Sequence, residues 1–266
     1  MVKQTRKRVP SIDQKFAEYK KHRKRVQKIA LNIDGLLPAS ENIALIVPYR
    51  DNALKELSAQ LKVFIEHYHD FLETNKLRIY IIEQSDDNKK FNRGKLLNIG
   101  FDIAADEGAT SFIFSDVDLI APSELAPLYA AYPDHPIHIA SLWKEKYNFG
   151  TYMGGIISFN AQDYEKINGF PNTFYGWGGE DDSMYDRLVV NEIPVYSPVT
   201  DRSIEIKGLE HKPRDKSVTT LNVDKKKNIL ADLKGWKRNG LRNLKYNLLN
   251  AEKLKFANVH KYTVEL

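Results

Sequence analysis

The sequence predicts an α/β fold in which a mostly parallel central sheet is flanked by helices. Three short apolar segments, at residues 43–47, 78–83 and 111–115, alternate with two segments whose apolar residues recur at helical spacing. This strand–helix–strand–helix–strand order implies parallel strands joined by right-handed crossovers. The chain has 266 residues, 42% of them hydrophobic, which suits one domain with a full core or one domain with an appendage.

The elements of the first half follow from local patterns. A helix is predicted around residues 12–33, ahead of a linker at 36–38, and the apolar run 43–47 ends at Pro48 as in a buried parallel strand. The remaining elements predicted up to residue 115 are a helix at 54–65, a strand at 78–83, a helix at 95–107 and a strand at 111–115. Ligands bind at the carboxyl ends of the strands in such sheets, so we expect residues 48–50 and 116–118 to share one cleft.

The second half is less regular. Strand-like segments are found at 138–142, 155–159, 195–198, 203–206 and 244–248, and helix-like segments at 162–167, 181–190 and 230–236. Residues 207–224 form a long polar stretch, which we interpret as a candidate mobile lid. We divide the chain into a basic helical arm with its linker at 1–38 and a main domain at 39–266.

Composition excludes several kinds of chemistry. The chain has no cysteine, which excludes disulfides, cysteine-based zinc sites and thiol nucleophiles. No apolar run approaches the ~20 residues that span a bilayer, and residues 1–10 lack the apolar region of a secretory signal. The sequence therefore predicts a soluble, cytoplasmic protein.

The positive charge is concentrated at the start of the chain. Residues 1–30 contain eleven Lys and Arg against Asp13 and Glu18, whereas the net charge of the whole chain is +5. The basic arm is interpreted either as a solvated helix or as a peripheral contact with an anionic inner membrane surface. Nucleic acid is disfavoured as a partner, because the arm has no aromatic residues for base stacking beyond Phe16 and Tyr19.

An Asp-x-Asp motif follows the third predicted strand. Asp116 and Asp118 stand where two carboxylates can bind a hard divalent cation whose other ligands are phosphate oxygens. A phosphatase of the haloacid-dehalogenase type uses a similar motif as nucleophile and acid. That class usually places the motif near the N-terminus and follows it with a small hydroxylated residue, whereas Leu119 and Ile120 follow here. The structural alternative is that both acids cap the next helix.

A glycine-rich segment with an aromatic residue precedes three acids. Trp177 offers a face for a sugar ring, and the surrounding glycines allow the backbone to approach a ligand closely. The acids also suit the first turn of a helix, which is their structural alternative. The residues of this segment are Gly176, Trp177, Gly178, Gly179, Glu180, Asp181 and Asp182.

Two further residues have both a functional and a structural interpretation. His211, in the polar stretch, is either a solvated side chain or a ligand for an ion such as Mn²⁺. Tyr152 stands before the glycine pair Gly154 and Gly155 that opens a predicted strand, and its structural alternative is core packing.

Together these segments resemble the β-1,4-galactosyltransferases, an inverting family with the nucleotide-sugar transferase fold called GT-A. Six segments match in order between about residue 42 and about residue 250: VPYR (47–50), FNRGKLLNIGF (91–101), FSDVDLI (114–120), TYMGG (151–155), NGFPNTFYGWGGEDD (168–182) and HKPRDK (211–216). Residues 136–155 and 211–216 are most similar to the branch that galactosylates xylose. Because the animal enzymes of that branch carry a membrane anchor, which we do not find here, and this chain lacks cysteines, we expect a bacterial or viral relative.

The resemblance implies roles for individual residues. The nucleotide and diphosphate would be bound by Pro48, Tyr49, Arg50, Phe91, Arg93, Asp116 and Val117. Mn²⁺ would be bound by Asp118 and His211. Trp177 would lie over the donor sugar, Glu180 would meet sugar hydroxyls and Asp181 would be the general base. The donor sugar and the acceptor would be contacted by Tyr152, Gly155, Tyr175, Gly178, Gly179 and Asp182, with the aromatic Tyr152 favouring galactose over N-acetylgalactosamine.

Some positions depart from the family pattern. Gly208 and Leu209 stand where relatives have a third protein ligand, Met or His, which implies weaker metal binding or a water at that position. Tyr175 stands where Trp is common, so the acceptor platform differs.

The function that the resemblance implies is inverting transfer of galactose from UDP-galactose to a sugar hydroxyl, with a β-1,4 linkage, in glycan or polysaccharide synthesis. The alternatives are a GalNAc or glucose transferase of the same fold, a sugar- or nucleotide-binding module without turnover, and an Asp-x-Asp phosphatase.

Overall fold

The computed structural model describes residues 9–33, 38–51, 56–72, 76–143, 150–151, 153–200, 203–204, 206–209 and 221–266. Its helices are α1 (Ile12–His22), α2 (Glu56–Tyr68), α3 (Arg93–Asp106), α4 (Ala126–Ala130), α5 (Ala161–Lys166), α6 (Glu180–Val190) and α7 (Val223–Gly235). Its strands are β1 (Lys28–Asn32), β2 (Ile43–Tyr49), β3 (Leu77–Gln84), β4 (Ser111–Ser115), β5 (Leu119–Ile120), β6 (Ile156–Asn160), β7 (Val195–Val199), β8 (Lys207–Gly208), β9 (Asn247–Lys253) and β10 (Val259–Glu265).

Six strands form the central sheet, in the order β6-β4-β2-β3-β10-β9. β4, β2, β3 and β10 run parallel to one another, while the edge strands β6 and β9 are antiparallel to β4 and β10. The prediction of an α/β fold with a mostly parallel sheet is therefore confirmed. Two small two-stranded sheets, β1 with β7 and β5 with β8, lie outside it.

Successive side chains of the buried strands point to opposite faces of the sheet, and both faces are covered by other residues. On β2, Leu45 and Val47 pack into one cluster and Ala44 and Ile46 into the other. Helices α2 and α4 contribute to the first cluster, and α3, α5 and α6 to the second. A strand buried on both faces explains the continuous apolar run in the sequence. The result is a three-layer arrangement with helices on both sides of the sheet.

The N-terminal segment differs from its prediction as one helix over 12–33. Helix α1 ends at His22, and Lys28–Asn32 is a strand paired in parallel with β7. Burial explains the change, because Leu31 joins the main core and would not do so from a solvated helix. Phe16 on α1 packs with Ile229 of α7 and with Phe174, two positions before the glycine-rich segment, so the described part of the arm lies on the domain. The boundary between residues 38 and 39 stays a prediction.

Other elements are corrected by the structure. Residues 138–142, predicted as a strand, contain the 3₁₀ turn Ile139–Leu142. Among 203, 204 and 206 no strand is present, and pairing begins at β8. Strand β2 continues through Pro48 to Tyr49, and β4 pairs with it only as far as Ile46. Strand β10 was not predicted, because polar residues interrupt its apolar residues and leave no continuous apolar run. No helix in the described part of the chain is long and apolar enough to cross a membrane.

Candidate active site

The carboxyl ends of the central strands collect the residues that the sequence singled out. β2 ends at Tyr49, directly before Arg50, and α3 begins at Arg93 after the loop that follows β3. Asp116 follows β4, and its N–H donates to the carbonyl of Gly155, while α6 begins at Glu180. Residues 48–50 and 116–118, which were predicted to share one cleft, lie at the carboxyl ends of the neighbouring parallel strands β2 and β4, and so at the same edge of the sheet.

Arg93 joins the two acidic motifs. Its Nε lies 2.6 Å from Oδ1 of Asp116, and its Nη1 lies 3.0 Å from Oδ1 of Asp181 and 3.8 Å from Oε1 of Glu180. Its guanidinium carbon lies 5.8 Å from the centre of the Phe170 ring. The Arg93 guanidinium therefore pairs with acids from two motifs that are about 65 positions apart in sequence. This pairing brings the Asp-x-Asp turn and the start of α6 into one site.

Burial sets the protonation of this cluster. Burial raises the pKa of Asp181 to about 8; Arg93 opposes the rise, and the neighbouring carboxylates Glu180, Asp116 and Asp182 add to it. Burial also raises the pKa of Glu180, again against the effect of Arg93. A carboxylate with a raised pKa is a stronger base, so Asp181 has the property that a general base requires near neutral pH.

The glycines of the 176–179 segment are required by its backbone. Gly179, the residue before α6, has φ of 98°, and a Cβ there would lie 2.7 Å from a ring carbon of Phe174. The N–H of Gly176 donates to the carbonyl of Phe91 at 2.7 Å, and Nζ of Lys225 donates to the carbonyl of Gly176. This backbone holds Trp177 45% exposed. An exposed indole three residues before Glu180 is suited to stacking on a sugar ring.

A network of buried amides holds the loop that leads into this segment. Oδ1 of Asn98 accepts from the Tyr164 hydroxyl and the Phe170 N–H, and its Nδ2 donates to the carbonyl of Phe170 and to Asn172. Nδ2 of Asn92, the N-cap of α3, donates to the carbonyl of Asn172 at 2.7 Å. The loop and the helix that carries Arg93 are thus fixed to each other by hydrogen bonds, which sets the position of Arg93 relative to α6.

Asp118 lies beside the segment that leads to His211. β5 pairs with β8, and the N–H of Leu209 donates to the carbonyl of Asp118 at 2.7 Å. From α2, the hydroxyl of Tyr68 accepts from the Ala121 N–H at 2.8 Å and so supports the turn after the motif. His211 lies outside the described residues. Within the described ranges, no group of three His, Asp or Glu side chains could hold a metal ion.

The donor-binding residues predicted around β2 and β3 are partly brought together. Nη1 of Arg50 donates to the carbonyl of Lys89, and the Arg50 guanidinium lies 5.8 Å from the centre of the Phe91 ring. Pro48 and Tyr49 are buried in β2. The side chain of Val117 is buried in the core, so only its backbone can face a ligand. Nucleotide binding by these residues stays a prediction.

The other predicted sugar contacts have varied positions. The carbonyl of Gly155 accepts from the Asp116 N–H, and Tyr175 and Gly178, which stand on either side of Gly176 and Trp177 in sequence, are half-buried. Asp182 forms ion pairs with Lys20 and Arg23 of the N-terminal segment. Tyr152 lies outside the described residues.

Three residues of this region were missed by the sequence analysis. Arg23 belongs to the basic arm, which the sequence predicts to be either a solvated helix or a membrane contact, although Phe16, Tyr19 and Arg23 lie at helical spacing, a pattern that indicates packing. Lys225 and Asn98 carry no pattern that separates them from surface residues. Their burial arises from tertiary contacts.

Comparison with known proteins identifies the class and then the family. A family model described as the N-terminal region of glycosyl transferase group 7 matches residues 5–131, and one described as the N-terminal domain of galactosyltransferase matches residues 134–212. The catalytic domain of Drosophila β-1,4-galactosyltransferase 7, solved with xylobiose, matches with a TM-score of 0.72 and 27% identity over 85% of this chain and 94% of that chain. A mutant of the same protein, solved with manganese, UDP-Gal and xylobiose, matches with the same TM-score and 26% identity. The fold is therefore of the GT-A class.

Sequence relatives agree with the structural match. β-1,4-Galactosyltransferase 4 of Cricetulus griseus is 32% identical over 80% of this chain, and human β-1,4-galactosyltransferase 1 is 39% identical over 59% of it. This chain belongs to the β-1,4-galactosyltransferase family. It spans 61% of the length of the Cricetulus griseus relative and 39% of the human one. These relatives are animal proteins and give no support to the bacterial or viral origin expected from the sequence.

Proposed function

We propose that this protein transfers galactose from UDP-galactose to a saccharide hydroxyl with inversion, forming a β-1,4 linkage. The observation that carries the proposal is the position of Asp181, whose buried carboxylate shares Arg93 with the Asp-x-Asp turn in a chain of this family. The relatives are named for this activity, and one was solved with UDP-Gal and xylobiose.

The proposed reaction is a single displacement. Asp181 accepts the proton of the acceptor hydroxyl as that oxygen forms a bond with the anomeric carbon of the donor sugar. The bond from that carbon to the UDP oxygen breaks, and its electron pair leaves with UDP, so an α-linked donor gives a β-linked product. A general base in this role contributes roughly 10²–10⁴ in rate. Arg93 orients Asp181, and Trp177 has the exposure needed to cover the donor sugar and exclude water.

The proposed cofactor is Mn²⁺, bound by Asp118 and His211. A carboxylate and an imidazole suit this ion, and Leu209, two positions before His211, is hydrogen-bonded to Asp118. Gly208 pairs with Leu119 and the N–H of Leu209 donates to Asp118, so both residues make main-chain contacts at the positions where the resemblance implies a third side-chain ligand. When bound, a divalent cation stabilises negative charge on the departing diphosphate.

The experiment that tests the function measures UDP release with Mn²⁺ and a panel of UDP-sugars, with and without xylosides, glucosides and N-acetylglucosaminides. We expect release from UDP-galactose, stimulated by one acceptor class and abolished by EDTA. Preference for UDP-GalNAc or UDP-glucose would overturn the choice of donor. Phosphate release from simple phosphoesters without any UDP-sugar turnover would favour the phosphatase alternative, and binding of UDP without turnover would favour a binding module.

The pH profile should have an acid limb set by Asp181. Its pKa is raised to about 8, so the base is ionised above that pH and is progressively protonated below it. We expect kcat/KM for UDP-galactose to rise up to tenfold per pH unit below about pH 8 and to level off above it. Initial rates between pH 6 and pH 9 measure this. A profile that is flat across that range would contradict the assignment of Asp181 as base.

We further propose that the protein is cytoplasmic and contacts the inner membrane surface through its basic N-terminal region. The supporting observation is that Lys15, Lys21, Lys24 and Arg25 are exposed around α1 while Phe16 faces the domain. Basic side chains near an anionic surface each favour binding by about 1 kcal/mol. We expect the protein to sediment with phosphatidylserine vesicles but not with phosphatidylcholine vesicles. Changing all four basic residues to Gln should abolish this sedimentation. Equal sedimentation with both vesicles would refute it.

A further inference from the structure

Arg23, just after α1, reaches the helix that carries the catalytic carboxylate. Its Nη1 lies 2.7 Å from Oδ1 of Asp182, its Nε lies 2.7 Å from Oδ1 of Asp186, and its Nη2 donates to the carbonyl of Asp182. The side chain of Arg23 is only 3% exposed. A planar guanidinium that bridges two carboxylates one helical turn apart fixes both distance and orientation, which an ammonium group cannot do in the same way.

Neighbouring groups reinforce this contact. The hydroxyl of Tyr19 donates to Oδ2 of Asp186 at 2.6 Å, and Nζ of Lys20 lies 3.0 Å from Oδ1 of Asp182. The Arg23 guanidinium lies 4.5 Å from the centre of the Tyr185 ring, whose hydroxyl accepts from the Val26 N–H. Residues 19–26 therefore contact one side of α6 over its first two turns.

The charges around Asp181 make this contact relevant to catalysis. Arg93 on α3 faces Asp181 directly, Glu180 and Asp182 flank it on α6, and Asp116 faces it from the end of β4. The positive charge of Lys225 on α7 lowers the pKa of Glu180. The negative charge of Asp182 is paired with Arg23 and Lys20. Removing Arg23 would strengthen the negative potential beside Asp181 and favour its protonated form.

We propose that Arg23 is a positioning residue for catalysis, which holds the first two turns of α6 and offsets the charge beside the base. This inference rests on the proposed function of Asp181. Arg93 fixes the start of α6 from inside the site, and Arg23 fixes the same turns from the outside. The N-terminal segment is then part of the catalytic apparatus.

The test compares Arg23→Gln, Arg23→Lys, the double variant Arg23→Gln/Asp182→Asn and the control Lys226→Gln in the full chain. Lys226 pairs with Asp13 and so joins α1 to α7 without touching α6. We expect Arg23→Gln to shift the acid limb of the pH profile by about one unit to higher pH, which lowers kcat about tenfold at pH 7, with KM for UDP-galactose unchanged. The double variant should return the limb to its wild-type position, and Lys226→Gln should leave the profile unchanged.

Arg23→Lys keeps the charge but loses the bridge between two carboxylates. We expect the acid limb of Arg23→Lys to lie at the wild-type pH and its kcat to be reduced. If Arg23→Gln does not fold, the inference is tested by Arg23→Lys. Wild-type kcat and limb in both Arg23 variants would overturn the inference. That result would not contradict the proposed function as long as the wild-type protein turns over substrate and Asp181→Asn does not. Absence of turnover in the wild-type protein would contradict both the proposed function and this inference.

Discussion

Asp181→Asn is expected to lower kcat for transfer by roughly 10²–10⁴ while the protein stays folded and binds UDP as wild type does. The amide has the shape of the carboxyl group but cannot accept a proton from the acceptor hydroxyl. At pH 7 the carboxyl group, with a pKa of about 8, is mostly protonated, so the neutral amide resembles the resting form of the side chain. The measurement is UDP release at saturating UDP-galactose and acceptor, together with UDP affinity.

Stability provides the internal check on this variant. The pKa of Asp181 in the folded chain lies above its ordinary value, so the folded state binds the proton more tightly and this group contributes less stability as the pH rises towards 8. An asparagine removes that pH dependence. Arg93 keeps Asp116 and Glu180 as partners, so the cluster stays paired.

The matched control is Asp224→Asn, which changes a highly exposed acid in the first turn of α7. It should leave both kcat and stability unchanged. Near-normal turnover by Asp181→Asn would show that another group removes the proton. Loss of UDP binding in that variant would show instead that the carboxylate organises the donor site.

The parallel sheet could be predicted from the sequence because its strands are buried on both faces. For that reason residues 43–47 are apolar throughout and residues 112–114 are apolar between two buried serines, and the helices between these strands have a regular apolar stripe. Strand β10 lacks that signal, since His260 and Lys261 interrupt its apolar residues, and it is recognised only through its pairing with β3. The N-terminal strand β1 was hidden in the same way by surrounding lysines and arginines.

The sequence predicted which residues form the candidate site, but not the ion pairs and pKa shifts among them. The Asp-x-Asp turn and the acids before α6 are local motifs with recognisable neighbours. Their union on Arg93 depends on a loop held by Asn98 and on the packing of α3 against the sheet, neither of which local sequence encodes. The contacts of Arg23 could not be predicted either. The sequence of a basic helix indicates exposure to solvent unless the acids that it contacts on α6 are known.

Arg187→Met is expected to lower the free energy of unfolding by about 3–5 kcal/mol. Arg187, in the last turn of α6, is 1% exposed, and its Nε and Nη2 lie 3.0 and 2.8 Å from the carboxylate oxygens of Asp232 on α7. Its Nη1 donates to the carbonyl oxygens of Asn168 and Gly169, which lie in the loop that leads into the glycine-rich segment. Methionine fills much of the space but leaves a buried carboxylate and several carbonyl groups without these donors. Urea denaturation followed by tryptophan fluorescence measures the loss.

A second substitution separates the lost charge pair from lost packing. Arg187→Met/Asp232→Leu removes the orphaned carboxylate, and a buried ion pair replaced by apolar groups is often close to neutral, so stability should recover in large part. Recovery stays incomplete because the carbonyls of Asn168 and Gly169 still lack their donor. The exposed pair of Lys227 with Asp224 is the control, and Lys227→Met should cause no measurable change. A single Arg187→Met variant as stable as wild type would show that the carbonyls and Asp232 find other partners, and that the far end of α6 is held by apolar packing alone.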